Sequence, residues 1–164
     1  MTAVKSRSRA YVRLIVAIAV CQMAGLVGSI FTAPSIATWY ATLRKPDFTP
    51  PNWLFGPVWT TLYLLMGISL YIVWNFGLER SKTRRSITIF SVQLALNTTW
   101  SYLFFTMKSP KLAFIEIIAL WIAIFATMIS FSKISKASGL MLTPYLIWVS
   151  LASYLNYMII VLNH

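Results

Sequence analysis

The chain has 164 residues, 59% hydrophobic and only 10% charged, against roughly a quarter charged in a soluble domain. The formal charge of +11 does not imply a nucleic-acid partner, because most basic residues sit just outside long apolar runs, where positive loops set membrane orientation. A soluble globule is excluded as the natural reading, and the single cysteine, Cys21, leaves no intramolecular disulfide to form.

Five apolar segments are legible in chain order, and they predict an all-α, integral membrane bundle of five transmembrane helices. The first runs from about Leu14 to Ala33. Basic residues precede it, but its apolar core is too long for a signal peptide, so it is expected to be retained. Gly25, Gly28 and Ser29 give it a small-residue face that admits close helix packing.

The connection from Pro34 to Asn52 is the only long one. Pro46, Pro50 and Pro51 stiffen it, and their missing N–H groups keep it out of bare hydrocarbon. It leads directly into the second span, about Trp53 to Leu78, where Pro57 is expected in the first helical turn. Trp59, Tyr63 and Met66 share one face of that span at i, i+4 and i+7. A stiff lid feeding an aromatic-rich span fits a protein that receives a flat, apolar ligand.

The third span, about Ile87 to Met107, carries Gln93, Asn97 and Ser101 at i, i+4 and i+8. Amides in hydrocarbon are costly without partners, so this stripe either ties helices together or lines an internal pocket. Gln93 suits the first role and Asn97 the second. The fourth span, about Leu112 to Ser132, contains Glu116, read as an interfacial carboxylate, hydrated or paired with Lys108 or Lys111. The fifth, about Leu140 to Leu162, aligns Trp148, Ala152 and Leu155 on one face, and Pro144 predicts a late start or a kink. Each span holds the roughly 20 residues needed to cross about 30 Å of hydrocarbon. The remaining connections are short, so residues 1–164 read as one domain.

Ten Lys and Arg residues fall on the N-terminal side of this arrangement and four on the other. The asymmetry predicts a bacterial or archaeal cell membrane, a cytoplasmic N-terminus, and an outward-facing first loop and C-terminus. Catalytic chemistry of the acid–base kind finds no support. Asp47, Glu79 and Glu116 lie in separate segments, and the lone histidine is the terminal His164. No metal set or cofactor requirement can be assembled, so a ligand held by aromatic stacking is favoured over one held through iron.

Three stretches, WYATLRKPDFTPPNWLFGPVWTTLYLLMG from Trp39, QLALNTTWSYLFF from Gln93 and PYLIWVSLASYLN from Pro144, closely resemble the TspO/MBR family of tryptophan-rich sensory and translocator proteins. The resemblance covers roughly residues 24 to 160. It implies a five-helix bundle, commonly a homodimer in the lipid bilayer, that binds porphyrins such as protoporphyrin IX or haem. It also implies binding of isoquinoline carboxamide and benzodiazepine drugs. Carried over by motif, the ligand-binding residues are Ser29, Thr32, Tyr40, Pro50, Trp59 and Tyr63, followed by Asn97, Trp100, Trp148, Ala152 and Leu155. Arg44 and Lys45 are placed at the mouth, where they would meet propionates. The resemblance implies a sensing, sequestering or translocating role. It implies as an alternative an enzyme that degrades porphyrin with light and oxygen, using Trp59 and Trp148. The tail after Tyr157, MIIVLNH, lacks the basic residue of the sterol-recognition pattern, so sterol transport is not expected.

Overall fold

A computed structural model describes residues 2–163, with side chains from residue 10 onward. His164 lies outside the described residues. The described chain is helical, with no strand. Helix α1 spans Thr2–Ile36, a short α2 spans Trp39–Thr42, and α3 spans Asn52–Trp74. Helix α4, Ser81–Ser101, continues into a π-helical stretch, Tyr102–Thr106. Helix α5 covers Pro110–Ser132, a short α6 covers Lys136–Leu140, and α7 covers Thr143–Leu162.

Among the described residues four segments are long and apolar enough to cross a membrane: Ala10–Ile36, Asn52–Trp74, Pro110–Ser132 and Lys136–Leu162. Helix α4 is not one of them, because it opens on Ser81–Ser86 with four basic or hydroxyl-bearing neighbours and carries Gln93, Asn97, Thr98, Thr99 and Ser101. Its buried side chains are mostly polar, Thr83, Ser86, Gln93 and Asn97 beside Phe90, while Val92 is 53% exposed.

The prolines decide where the elements start. Helix α5 opens on Pro110, and α7 begins at Thr143 with Pro144 in its first turn, where a missing N–H costs nothing. This late start of α7 matches expectation. Pro57 does not, because α3 begins at Asn52 and places Pro57 in its second turn. There it deprives the Trp53 carbonyl of its helical donor, at a residue 72% exposed. The π-helical stretch was also not legible in advance. It closes with Met107 N–H donating to the Tyr102 carbonyl at 3.0 Å. The wider turn brings two consecutive rings, Phe104 and Phe105, into the interior together.

Helix α1 lies along α3 and also touches α4, while α5 packs between α4 and α7. Close approach of α1 and α3 depends on glycine. A Cβ on Gly67 would stand 2.7 Å from the Ile18 Cα, and one on Gly25 would stand 2.6 Å from the Tyr63 ring. The densest core, with Met66, Val73, Phe90, Ile124, Phe131 and Leu142, lies toward α6. Phe90 stacks on Phe131 with centroids 5.6 Å apart, and the Ser86 and Ser130 hydroxyls pair at 2.6 Å.

Candidate functional site

At the other end of the bundle the helices do not close on one another. A cavity of about 540 Å³ lies between α1, α3, α4 and α7, inside the range of roughly 300–1,000 Å³ common for small-molecule sites. Tyr40 of α2 borders it from above, packed on Phe104 and Phe105 at centroid distances of 6.3 and 5.7 Å. Burial raises the Tyr40 phenol above its ordinary range.

The walls are largely aromatic. Helix α3 supplies Trp53, Phe55, Trp59 and Tyr63, and α4 with its π-helical continuation supplies Trp100, Phe104 and Phe105. Helix α7 supplies Trp148, Ala152, Leu155 and Asn156. Trp59 sits 5.6 Å from Tyr63 and 6.2 Å from Tyr145, and Phe55 meets Trp148 edge-on at 5.6 Å. Ala152 leaves space that a larger residue on the same face would fill.

Polar side chains act as struts between these walls. Tyr63 donates to Asn97 Oδ1, and Asn97 Nδ2 donates to the Tyr145 phenol at 2.9 Å. One amide thus joins α3, α4 and α7. Below Tyr40, Trp100 Nε1 donates to Asn156 Oδ1 at 3.2 Å, and Asn156 Nδ2 donates to the Pro110 carbonyl at 2.8 Å. The second strut joins α4, α7 and the start of α5. Each interhelical bond in a membrane contributes about 0.6 kcal/mol on average. Their geometric role is larger, since a ring held at both ends cannot rotate into the open space.

Of the residues singled out from sequence, Ser29, Thr32, Tyr40, Trp59, Tyr63 and Asn97 border this cavity, as do Trp100, Trp148, Ala152 and Leu155. Pro50, Arg44 and Lys45 do not. Pro50 belongs to the extended run ahead of α3. Lys45 Nζ is engaged by the Tyr40 and Leu43 carbonyls at 2.7 and 3.0 Å and lies 4.6 Å from the Tyr40 ring centroid. It caps α2 rather than facing the mouth. Arg44 is tied through its backbone, donating to Asn163 Oδ1 at 2.9 Å and accepting from Asn163 Nδ2 at 2.8 Å.

Two further expectations need correction. Gln93 does not bind helices together by hydrogen bonding, because both ends of its buried amide lack a partner among the described residues. Glu116 is not paired with Lys108 or Lys111. It is 9% exposed, and neither carboxyl oxygen has a hydrogen-bond partner among the described residues. Sequence reasoning missed Trp53, Phe55, Asn156 and the Phe104–Phe105 pair. Asn156 was detectable as an amide one position past Leu155 in an apolar helix, whereas the two phenylalanines depend on the π-helical stretch.

No three His, Cys, Asp or Glu side chains converge on a metal position among the described residues. The arrangement can hold a flat apolar molecule by stacking and dispersion, with Tyr40, Asn97 and Thr32 as nearby polar contacts.

The profile of the TspO/MBR family matches residues 17–162. The chain is 49% identical over 151 residues to the tryptophan-rich protein TspO of Archaeoglobus fulgidus, covering 92% of this chain and 97% of that one. It is 44% identical over 150 residues to the protein of the same name from Chlorobaculum tepidum, covering 92% and 95%. With the human translocator protein it shares 36% identity over 139 residues, covering 84% and 82%.

Proposed function

The chain belongs to the TspO/MBR family of membrane proteins, and on that premise we propose that its cavity binds a porphyrin-like tetrapyrrole within the bilayer. The protein would sense, sequester or translocate that ligand. In this reading α4 is also a transmembrane span, with Gln93 and Asn97 turned inward and Val92 turned to lipid. The N-terminus is cytoplasmic and the α2 loop lies outside, in agreement with the distribution of Lys and Arg. The same cavity would accept isoquinoline carboxamide and benzodiazepine drugs, and the protein would work as a homodimer.

One observation carries this reading. A space of about 540 Å³ is walled by Trp59, Trp100 and Trp148 on three different helices, with few polar atoms facing it. Aromatic walls stack on an extended π-system and contribute beyond the area they bury. Titration of the nanodisc-reconstituted protein with protoporphyrin IX should quench tryptophan fluorescence to saturation. Ala152→Trp, which fills the cavity, should weaken binding at least about tenfold. Absence of saturable quenching, or unchanged affinity in Ala152→Trp, would overturn the proposal.

A second reading rests on Trp59 and Trp148 bordering the same space from facing helices. Two indoles against one porphyrin suit a light- and oxygen-dependent degradation in which oxygen oxidises the ring. Illumination of the aerobic complex would then yield a new absorbing product, lost in Trp59→Phe and Trp148→Phe while binding persists.

A further inference from the structure

We propose that the ligand enters the cavity sideways from the bilayer, through a cleft between α1 and α3, and not from above past the α2 loop. This route rests on the cavity receiving a membrane-dissolved apolar molecule, as argued above.

Helices α1 and α3 are antiparallel and touch along only part of their length. Contact is tight at Gly67 against Ile18 and at Gly25 against Tyr63, and it continues where Gln22 Nε2 donates to the Thr60 carbonyl at 3.1 Å. Toward the loop it is lost. A Cβ on Gly56 would meet nothing within 4 Å. Leu26 of α1 is 58% exposed and Trp53 of α3 is 72% exposed, yet both border the cavity, as does exposed Ser29. A side chain that faces both the interior and the outside marks a wall with an opening in it.

The rim is chemically suited to an apolar traveller. Ser29 donates its hydroxyl to the Leu26 carbonyl at 2.7 Å, and Thr60 donates to the Gly56 carbonyl at 2.9 Å. Both hydroxyls are thereby occupied by their own helices and present methylene or methyl surface to the cleft. Among the described residues no charged side chain borders the cavity.

The roof, by contrast, is fastened. Arg44 and Asn163 exchange two hydrogen bonds across 119 residues of chain. Lys45 holds two carbonyls of the α2 segment, and Phe48 lies against Tyr154 with centroids 5.4 Å apart. Tyr40 beneath them is 8% exposed. Entry from above requires these contacts to break, and entry between α1 and α3 does not.

The test is stopped-flow quenching of nanodisc-embedded protein by protoporphyrin IX delivered from phosphatidylcholine vesicles, with equilibrium titration and thermal unfolding run in parallel. Gly56→Leu fills the cleft without a packing clash, and Asn163→Ala releases the roof. Gly56→Leu should slow association and dissociation together by about tenfold, while Asn163→Ala leaves both rates within about twofold of the parent. Faster exchange in Asn163→Ala with no effect of Gly56→Leu would place the route through the roof and overturn the proposal. Identical rates in all three proteins with normal equilibrium binding would overturn the cleft alone. A parent protein that shows no saturable quenching would remove the tetrapyrrole reading together with the route.

Discussion

Toward α6, Met66, Val73, Ile124, Phe131 and Leu142 are at most 1% exposed and fill the space between helices completely. Toward α2, Trp59, Trp100 and Trp148 remain only half-buried around a cavity, where Asn97 fixes Tyr63 and Tyr145 and Asn156 fixes Trp100. Lipid tails are as apolar as leucine, so helices in a bilayer are held by close packing and by interhelical hydrogen bonds. The α6 end relies on the first and the cavity end on the second. A wall without atoms opposite it forgoes dispersion contacts, and polar struts replace the lost constraint while leaving the space open. This division lets one bundle be rigid and hollow at once.

The comparison breaks most readily at the two glycines of α3. Gly67→Leu should destabilise the protein by about 3 kcal/mol or more, because its Cβ meets backbone atoms of Ile18, which cannot swing away. Gly56→Ala should lie within about 0.5 kcal/mol of the parent, because its Cβ enters open space. Thermal unfolding in detergent of the two variants side by side checks the contrast. Equal losses would mean that the cavity end is as tightly packed as the other.

The next largest effect is expected at Asn97. Asn97→Leu removes the bonds to Tyr63 and Tyr145 and leaves two buried phenols without partners. A cost of about 2 kcal/mol follows from those orphaned groups. The same variant should weaken porphyrin binding, because Tyr63 and Tyr145 are then free to turn into the space the ligand needs. Restored affinity in Asn97→Leu with Tyr63→Phe would show that the loose phenol, and not the missing amide, was responsible.

Much of this architecture was legible in the chain because it is periodic. Trp59 and Tyr63 at i and i+4, the stripe at Gln93, Asn97 and Ser101, and the face at Trp148, Ala152 and Leu155 each depend only on 3.6 residues per turn. What stayed hidden depends on departures from that period or on which neighbour a side chain meets. The π-helical stretch carries Phe105 inward beside Phe104, and no local spacing announces it. Arg44 and Lys45 were expected at the mouth as partners for propionates. The folded chain instead uses one for its backbone and the other to cap α2. Gln93 and Asn97 are equivalent in pattern, and only the phenols opposite Asn97 distinguish them.

A smaller effect, of opposite sign, is expected at Trp148. Its Nε1 is buried with no hydrogen-bond partner among the described residues, so Trp148→Phe deletes an orphaned donor along with part of a ring. Stability should stay level or rise by up to about 1 kcal/mol, while porphyrin affinity falls through the lost stacking surface. Loss of both stability and affinity would assign Trp148 to the packing of α7 rather than to the cavity wall.

The smallest expected effect tests the other half of the comparison. Ser86 and Ser130 pair at 2.6 Å between α4 and α5, in the part of the bundle attributed to close packing. Ser86 also donates to the Lys82 carbonyl of its own helix, and a helical serine such as Ser130 can turn its hydroxyl to the carbonyl four residues earlier when its partner is removed. Ser86→Ala should therefore cost no more than about 0.6 kcal/mol, several-fold less than Asn97→Leu, although both delete a polar side chain from the same helix. The unfolding temperatures of the two variants give the ratio directly. A loss in Ser86→Ala as large as that in Asn97→Leu would mean that hydrogen bonds hold both ends of the bundle alike. The cavity would then need an explanation other than the exchange of packing for struts.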